Sequence, residues 1–489
     1  MRMRLTVSAL LLTTLSMGAA AQDARTIIGD ASKAMGAETL SAITYAGSAS
    51  SANFGQTKSI SGPYVLSTTI TNYTRAIDFG QPASRATGTT MTPAAPGAQP
   101  APPGTLNQSI TPANAAWTQQ MEIWTTPWGF LKGAAANSAT VRSQRIGGKT
   151  VNVVSWATPQ KAPSGKAYTV TGYLDDKNMV ERVVTWVEHP ILGDLQVEAL
   201  YSDYRDFGGL KVPAKIVQKR AGWPTFEATI TAASANPANI TTLLAPAPAA
   251  GAPPTGRGAA PAGPPPSQAP LQSEKLADGV FRITGGYVAL AVEMKDHVVV
   301  LEGGQNEARG LAVIAETKRV IPNKPIRYVV NTHAHFDHAS GLAPFVAEGI
   351  TIITHENNDD FVEKALSAPR TLLGDALAKA NRKPKVEAVG DKRVLKDDTR
   401  TIELHHVTNL DHSDGMLIAF LPKEKILFTG DFNIPAAGQP VSPAIGTLVQ
   451  NVERLKLDFD RHVLVHPPTP DRPLTKADLL ALAKGTDNH

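Results

Sequence analysis

Residues 245–270 constrain this chain more than any other feature. Of these 26 residues, 22 are Ala, Pro or Gly, the exceptions being Thr255, Arg257, Ser267 and Gln268. Such a stretch cannot bury enough apolar surface to offset its own ordering entropy, so it reads as an extended linker, taken here as 245–272. It divides the 489 residues into a segment 22–244 and a segment 273–489, each long enough for a core of its own. A second stretch of similar composition, Met91 to Gly104, reads as a long loop inside the first half.

The first 21 residues read as an export signal. Arg2 and Arg4 precede an apolar stretch from Leu5 to Met17, and Ala19-Ala20-Ala21 offers an A-x-A cleavage site before Gln22. The apolar stretch is shorter than the ~20 residues of a transmembrane helix and is diluted by Ser and Thr. The expectation is a periplasmic or secreted protein without a stable membrane span.

Segment 22–244 alternates apolar and polar residues in runs bounded by Gly, Asn, Asp and Pro, after a helical pattern from Thr26 to Leu40. Lys166–Leu174, Val180–Val187, Leu195–Tyr201 and Val212–Gln218 predict strands, with 175–178 as a hairpin turn. No His or carboxylate cluster is visible here. The half is expected to be an antiparallel β-rich accessory domain. Tyr204-Arg-Asp-Phe-Gly-Gly-Leu-Lys-Val-Pro faintly resembles the β domains of periplasmic lipoprotein carriers, which would imply a hydrophobic-ligand platform instead.

Segment 273–489 alternates strands with helices, an α/β (α+β) pattern in which strands end in polar loops. Strands are predicted at Gly279–Ile283, Tyr287–Glu293, His297–Leu301, Ile326–Asn331, Ile350–Thr354, Thr401–Val407, Met416–Phe420 and Lys425–Phe428. Helices are predicted at Asn306–Arg319, Leu342–Glu348 and Asn357–Leu366.

The chain has no cysteine, which removes disulfides, thiolate metal sites and cysteine nucleophiles together. It has twelve histidines. Four ligand-type residues, His333, His335, Asp337 and His338, stand within six positions directly after the strand that ends at Val330. Imidazole and carboxylate are the donors expected at zinc or iron when thiolate is lacking. A loop can turn His333 and His335 toward one metal and Asp337 and His338 toward a second. Three more ligand types follow at distant strand ends: His412, Asp431 and His466. A lone histidine is ordinarily a surface or core residue, and His355, His405, His406 and His462 are read that way, with one of His405 and His406 able to approach the pocket and His355 able to stand behind the ligands rather than simply start a helix.

His333-x-His335-x-Asp337-His338, then His412, Asp431 and His466, resembles the metallo-β-lactamase superfamily in order and spacing across residues 274 to 485. The resemblance implies a four-layer αβ/βα sandwich with a dinuclear site. His333, His335 and His412 would bind one metal, Asp337, His338 and His466 the other, and Asp431 would bridge. Two positions depart from the family's pattern: Asp411 stands before His412 where Gly is usual, and Pro467 follows His466.

The resemblance implies an enzyme, a hydrolase of small-molecule esters, thioesters, lactones or amides, and the signal-like N-terminus implies its export. It would use two divalent metal ions, zinc first, with iron or manganese as alternatives, and Asp337 would be catalytic. The rivals are a β-lactamase, a mononuclear iron oxidoreductase resembling persulfide dioxygenases, and a non-catalytic binding protein. The excess of 47 Lys and Arg over 43 Asp and Glu is too small to point to nucleic acid. Oligomeric state is not legible.

Overall fold

The computed structural model describes residues 24–93, 102–111, 115–245, 271–435 and 439–484. Residues 1–21, expected to be an export signal, most of the stretch 91–104 expected to be a loop, and nearly all of the expected linker lie outside these residues. Gln272 already belongs to the strand Gln272–Ala277.

The first half forms one eleven-stranded antiparallel sheet. Its order follows the chain except at one seam, where the first strand, Ala42–Ser51, pairs with the last, Trp223–Ala235. Along Gly193–Phe207 buried and half-buried residues alternate over nine positions, the signature of a sheet packed on one face only. The packed face meets the helices 24–34, Trp117–Trp124 and Pro127–Ala136, which bring Ile28, Ala31, Met121, Ile123, Trp128 and Phe130 into its core. The predicted helix to Leu40 stops at 34, and Gly36 follows in the left-handed region at φ +65.

The second half has two sheets, of seven and five strands. Val298–Leu301, Leu417–Leu421 and Ile426–Thr429 are buried at every position, because both faces of these strands are covered. Leu290, Val299 and Val330 of one sheet share a core with Leu404, Leu417 and Phe428 of the other. The outer face of the larger sheet packs against the helices Glu307–Val320, Ala343–Glu348 and Asp359–Ser367. Pro443–Arg454 and Lys476–Ala483 cover the smaller sheet. The result is a helix–sheet–sheet–helix sandwich, as expected.

The halves interlock. Ile60 and Ile191 of the first lie in the helix-side core of the second, and Leu372 lies in the core of the first. Asp194 accepts hydrogen bonds from the backbone amides of Thr371 and Leu372. Among the described residues, no helix is long and apolar enough to cross a membrane.

Candidate metal centre

All seven predicted side chains meet at one edge of the sandwich. His333 and His335 follow the strand Ile326–Val330, and Asp337 and His338 stand on the single turn Phe336–Ala339. His412 comes from the loop before Leu417–Leu421, Asp431 from the end of Ile426–Thr429, and His466 from just beyond Arg461–Leu464. Two sets result: His333, His335, His412 and Asp431, and Asp337, His338, Asp431 and His466, with ligand atoms within 4.8 Å of one another in each.

The spacings fit a cation. His333 Nε2 lies 3.0 Å from His335 Nδ1 and 3.3 Å from His412 Nε2, and His338 Nε2 lies 3.3 Å from His466 Nε2. Ligands of a tetrahedral centre with ~2.0–2.1 Å metal–nitrogen bonds are separated by about 3.3 Å. Asp431 reaches both sets, Oδ2 standing 3.1 Å from His412 and Oδ1 2.8 and 2.7 Å from His338 and His466. Asp431 Oδ1 is buried and, despite these approaches, has no hydrogen bond of acceptable geometry. The donors therefore suit one or two divalent ions sharing Asp431.

The far side of each ring determines which nitrogen is free. The Thr332 hydroxyl donates to Glu302 Oε2 at 2.8 Å, so its oxygen is left to accept from His333 Nδ1 at 3.2 Å. Glu302 Oε2 likewise accepts from His338 Nδ1 at 3.2 Å. The carbonyl of Thr57 can only accept, and takes the Nε2 proton of His335 at 3.0 Å. Lone pairs are thereby left on His333 Nε2, His335 Nδ1 and His338 Nε2, the three nitrogens that face the centre. Such outer contacts orient metal-binding imidazoles and fix their tautomers.

Charge follows the same plan. Burial, then neighbouring His338 and His335, push the His333 pKa well below its usual value, and burial with His412 lowers His335 to about 4; both stay neutral and able to ligate. At His338 burial is outweighed by Asp431 and Glu302, which hold its pKa well up. A proton would compete with any cation bound at this ring. Burial opposes the charge of Asp431, but His338 and the other imidazoles hold its pKa far down.

Several contributors carry no signal in the sequence. Tyr287 donates its hydroxyl to Asp337 Oδ2 at 2.6 Å and sets its ring 4.2 Å from that of His466. Burial and Asp337 raise its pKa, so the phenol remains a donor. Glu302 is wholly buried at φ +73 and also accepts from the amides of Gly303 and Gly304. Its only clue is a carboxylate placed directly after Val298–Leu301. From the first half, Gln56 Nε2 donates to Asp337 Oδ1 at 2.5 Å, in a segment with no His or carboxylate cluster.

Among the described residues, the other histidines stand outside both sets. His405 pairs with Glu403, and His406 packs 3.9 Å from His355 and donates to the Asp414 carbonyl. His355 Nδ1 accepts from the Asn357 amide ahead of the helix Asp359–Ser367. His462 is buried against Thr429. Asp411, where the family has glycine, pairs with Lys58 of the first half at 2.8 Å.

Residues 284–472 match the family model of the metallo-beta-lactamase superfamily. Among solved structures the chain is similar to a metallo-beta-lactamase from Pontibacter korlensis, at 17% identity over 45% of this chain and 100% of that one, with a TM-score of 0.34. It is similar to one from Hirschia baltica at 19% identity over 44% and 98%, TM-score 0.34. It is also similar to the metallo-beta-lactamase FIM-1 from Pseudomonas aeruginosa in its mono-zinc form, at 16% identity over 46% and 97%, TM-score 0.34. No curated protein matches the chain.

Proposed function

We propose, from the match of residues 284–472 to the model of the metallo-beta-lactamase superfamily, that this chain is an exported dinuclear metallohydrolase acting on a small ester, thioester, lactone or amide. One observation carries the reading: two complete donor sets that share Asp431. Zinc is the first expectation, because the donors are imidazole and carboxylate with tetrahedral spacing. Export rests on the signal-like residues 1–21.

Two bound divalent ions supply Lewis acidity and make water nucleophilic at neutral pH. The chain's own part is to orient and to move a proton. Thr332, Glu302 and the Thr57 carbonyl hold three imidazoles in the ligating tautomer. Asp431 keeps the two sets in register through its two oxygens. Asp337 accepts the proton lost by the attacking water at a carboxylate oxygen, while Tyr287 on Oδ2 and Gln56 on Oδ1 hold that carboxylate in place.

A mononuclear iron oxidoreductase would need only one donor set, whereas His338, Asp337 and His466 form a second beside Asp431. The test is elemental analysis of the purified full chain, paired with a panel of ester, thioester, lactone and β-lactam substrates. Two zinc ions per chain with turnover of one substrate class is the expected result. One iron per chain with oxygen consumption on a persulfide would replace this reading with the oxidoreductase.

A further inference from the structure

The segment joining Ser51 to Thr68 leaves the N-terminal sheet and runs along the metal centre. Its backbone and side chains touch three successive residues of the first motif. The Thr57 carbonyl takes the Nε2 proton of His335, the Gly55 carbonyl accepts from the Phe336 amide at 3.1 Å, and Gln56 donates to Asp337. The same strap reaches the loop that carries His412, where the Asp414 amide donates to the Lys58 carbonyl at 2.9 Å and Lys58 Nζ pairs with Asp411. Phe336, flanked by His335 and Asp337, turns its ring away from the centre onto Phe54 and His189, with centroids 5.1 and 4.8 Å apart. Ile60 anchors the far end in the core of the second domain.

Hydrogen bonds are common where domains meet, and this interface has others, such as those from the Thr371 and Leu372 amides to Asp194. What distinguishes the strap is where its polar groups fall. Here the polar groups of Thr57 and Gln56 fall on a proposed ligand and on the proposed proton acceptor, and each contact settles something those residues need. For His335 it is the tautomer, and for Asp337 the direction of a carboxylate that Tyr287 holds from one side only. Gly55 makes the approach feasible. It has φ +84, and a Cβ there would lie 2.1 Å from the Phe336 ring, which no real side chain tolerates.

We propose that residues 54–58 are a built-in wall of the metal centre, with Gln56 and the Thr57 carbonyl as positioning groups, so that metal retention depends on the N-terminal domain. The proposal rests on the dinuclear reading above. Outer-sphere partners of this kind are worth about 10- to 100-fold in metal affinity or activity.

The test uses the full chain and zinc alone, with affinity measured by competition against a chelating dye and kcat and KM measured in parallel. Gln56→Leu keeps the bulk and removes the donor. Gly55→Val drives the strap off Phe336 and moves the Thr57 carbonyl. Asp194→Ala weakens the domain interface at a distance from the centre, at the amides of Thr371 and Leu372. The expected result is a fall of about tenfold or more in zinc affinity for Gln56→Leu and Gly55→Val, with kcat falling more than KM changes. Asp194→Ala should keep wild-type zinc affinity while lowering the melting temperature. If all three variants lose zinc alike, or none does, the strap is mere packing and the proposal is overturned. A wild-type chain that retains no zinc would sink the functional reading together with this one. Wild-type retention with unaffected strap variants would sink this one alone.

Discussion

The two domains solve the problem of burying a sheet in different ways. The N-terminal sheet is packed on one face, so its strands alternate, as in Gly193–Phe207. The C-terminal sheets are covered on both, so Val298–Leu301 and Leu417–Leu421 are apolar throughout. A strand buried on both faces can present polar groups only at its ends. That is where all the proposed metal donors sit. The one-faced sheet has no such restriction, and its contribution to the site comes from an irregular connection between two strands. Chemistry is thus concentrated and visible in one domain, and dispersed in the other.

The strongest way to break this comparison is Asp431→Ala. Losing the residue common to both sets should remove metal and several kcal/mol of transition-state stabilisation, on the order of 10³ or more in kcat/KM. Calorimetry should still show the N-terminal sheet unfolding as before. The mirror image is Glu122→Ala, which leaves buried Arg75 without its carboxylate partner. Breaking a buried pair on one side costs about 3–5 kcal/mol. Denaturant unfolding should report that loss, with metal content unchanged at 25 °C.

Tyr287→Phe tests the dispersed contributors. Removing a hydrogen bond to a charged group is worth about 1.5–3 kcal/mol, roughly 10- to 100-fold in kcat/KM, and circular dichroism should show an unaltered fold. A pH titration separates burial from catalysis at His462, whose pKa burial lowers from 6.5 to about 3. Between those values the unfolded chain binds a proton that the folded one refuses, so stability is full above the unfolded value and falls as pH drops through that window. His462→Gln should flatten this acid limb in urea midpoints measured from pH 7 to 4. The smallest effect belongs to Lys58→Ala. Its pair with Asp411 is more than half exposed, and such pairs contribute about 0.2–1 kcal/mol, a melting shift at the edge of detection.

The sequence makes the seven donors legible because most of them follow an apolar strand, His412 instead preceding one, and because four of them crowd between residues 333 and 338. The sandwich is legible for the same reason, since continuous apolar runs require cover on both faces. Gln56 and Thr57 are invisible by the same logic. Their partners lie 281 and 278 residues away, and neither residue type marks chemistry. Tyr287 reads as the start of a strand, yet Ala289–Glu293 begins two positions later and frees the phenol to turn toward Asp337. Asp411 reads as a departure from a family pattern, and its side chain becomes meaningful only once Lys58 is beside it.

The seam of the N-terminal sheet reaches further than its own strands. Ile43 pairs with Ala235, a separation of 235 − 43 = 192 residues, and contacts so distant in the chain are slow to form. The strand they anchor runs directly into the strap at Ser51. The wall beside His335 is therefore hung from the last strand of the domain, and its final position waits on that pairing. An insertion or nick near Trp223, remote from every histidine named as a ligand, would reach the metal centre as a misplaced carbonyl.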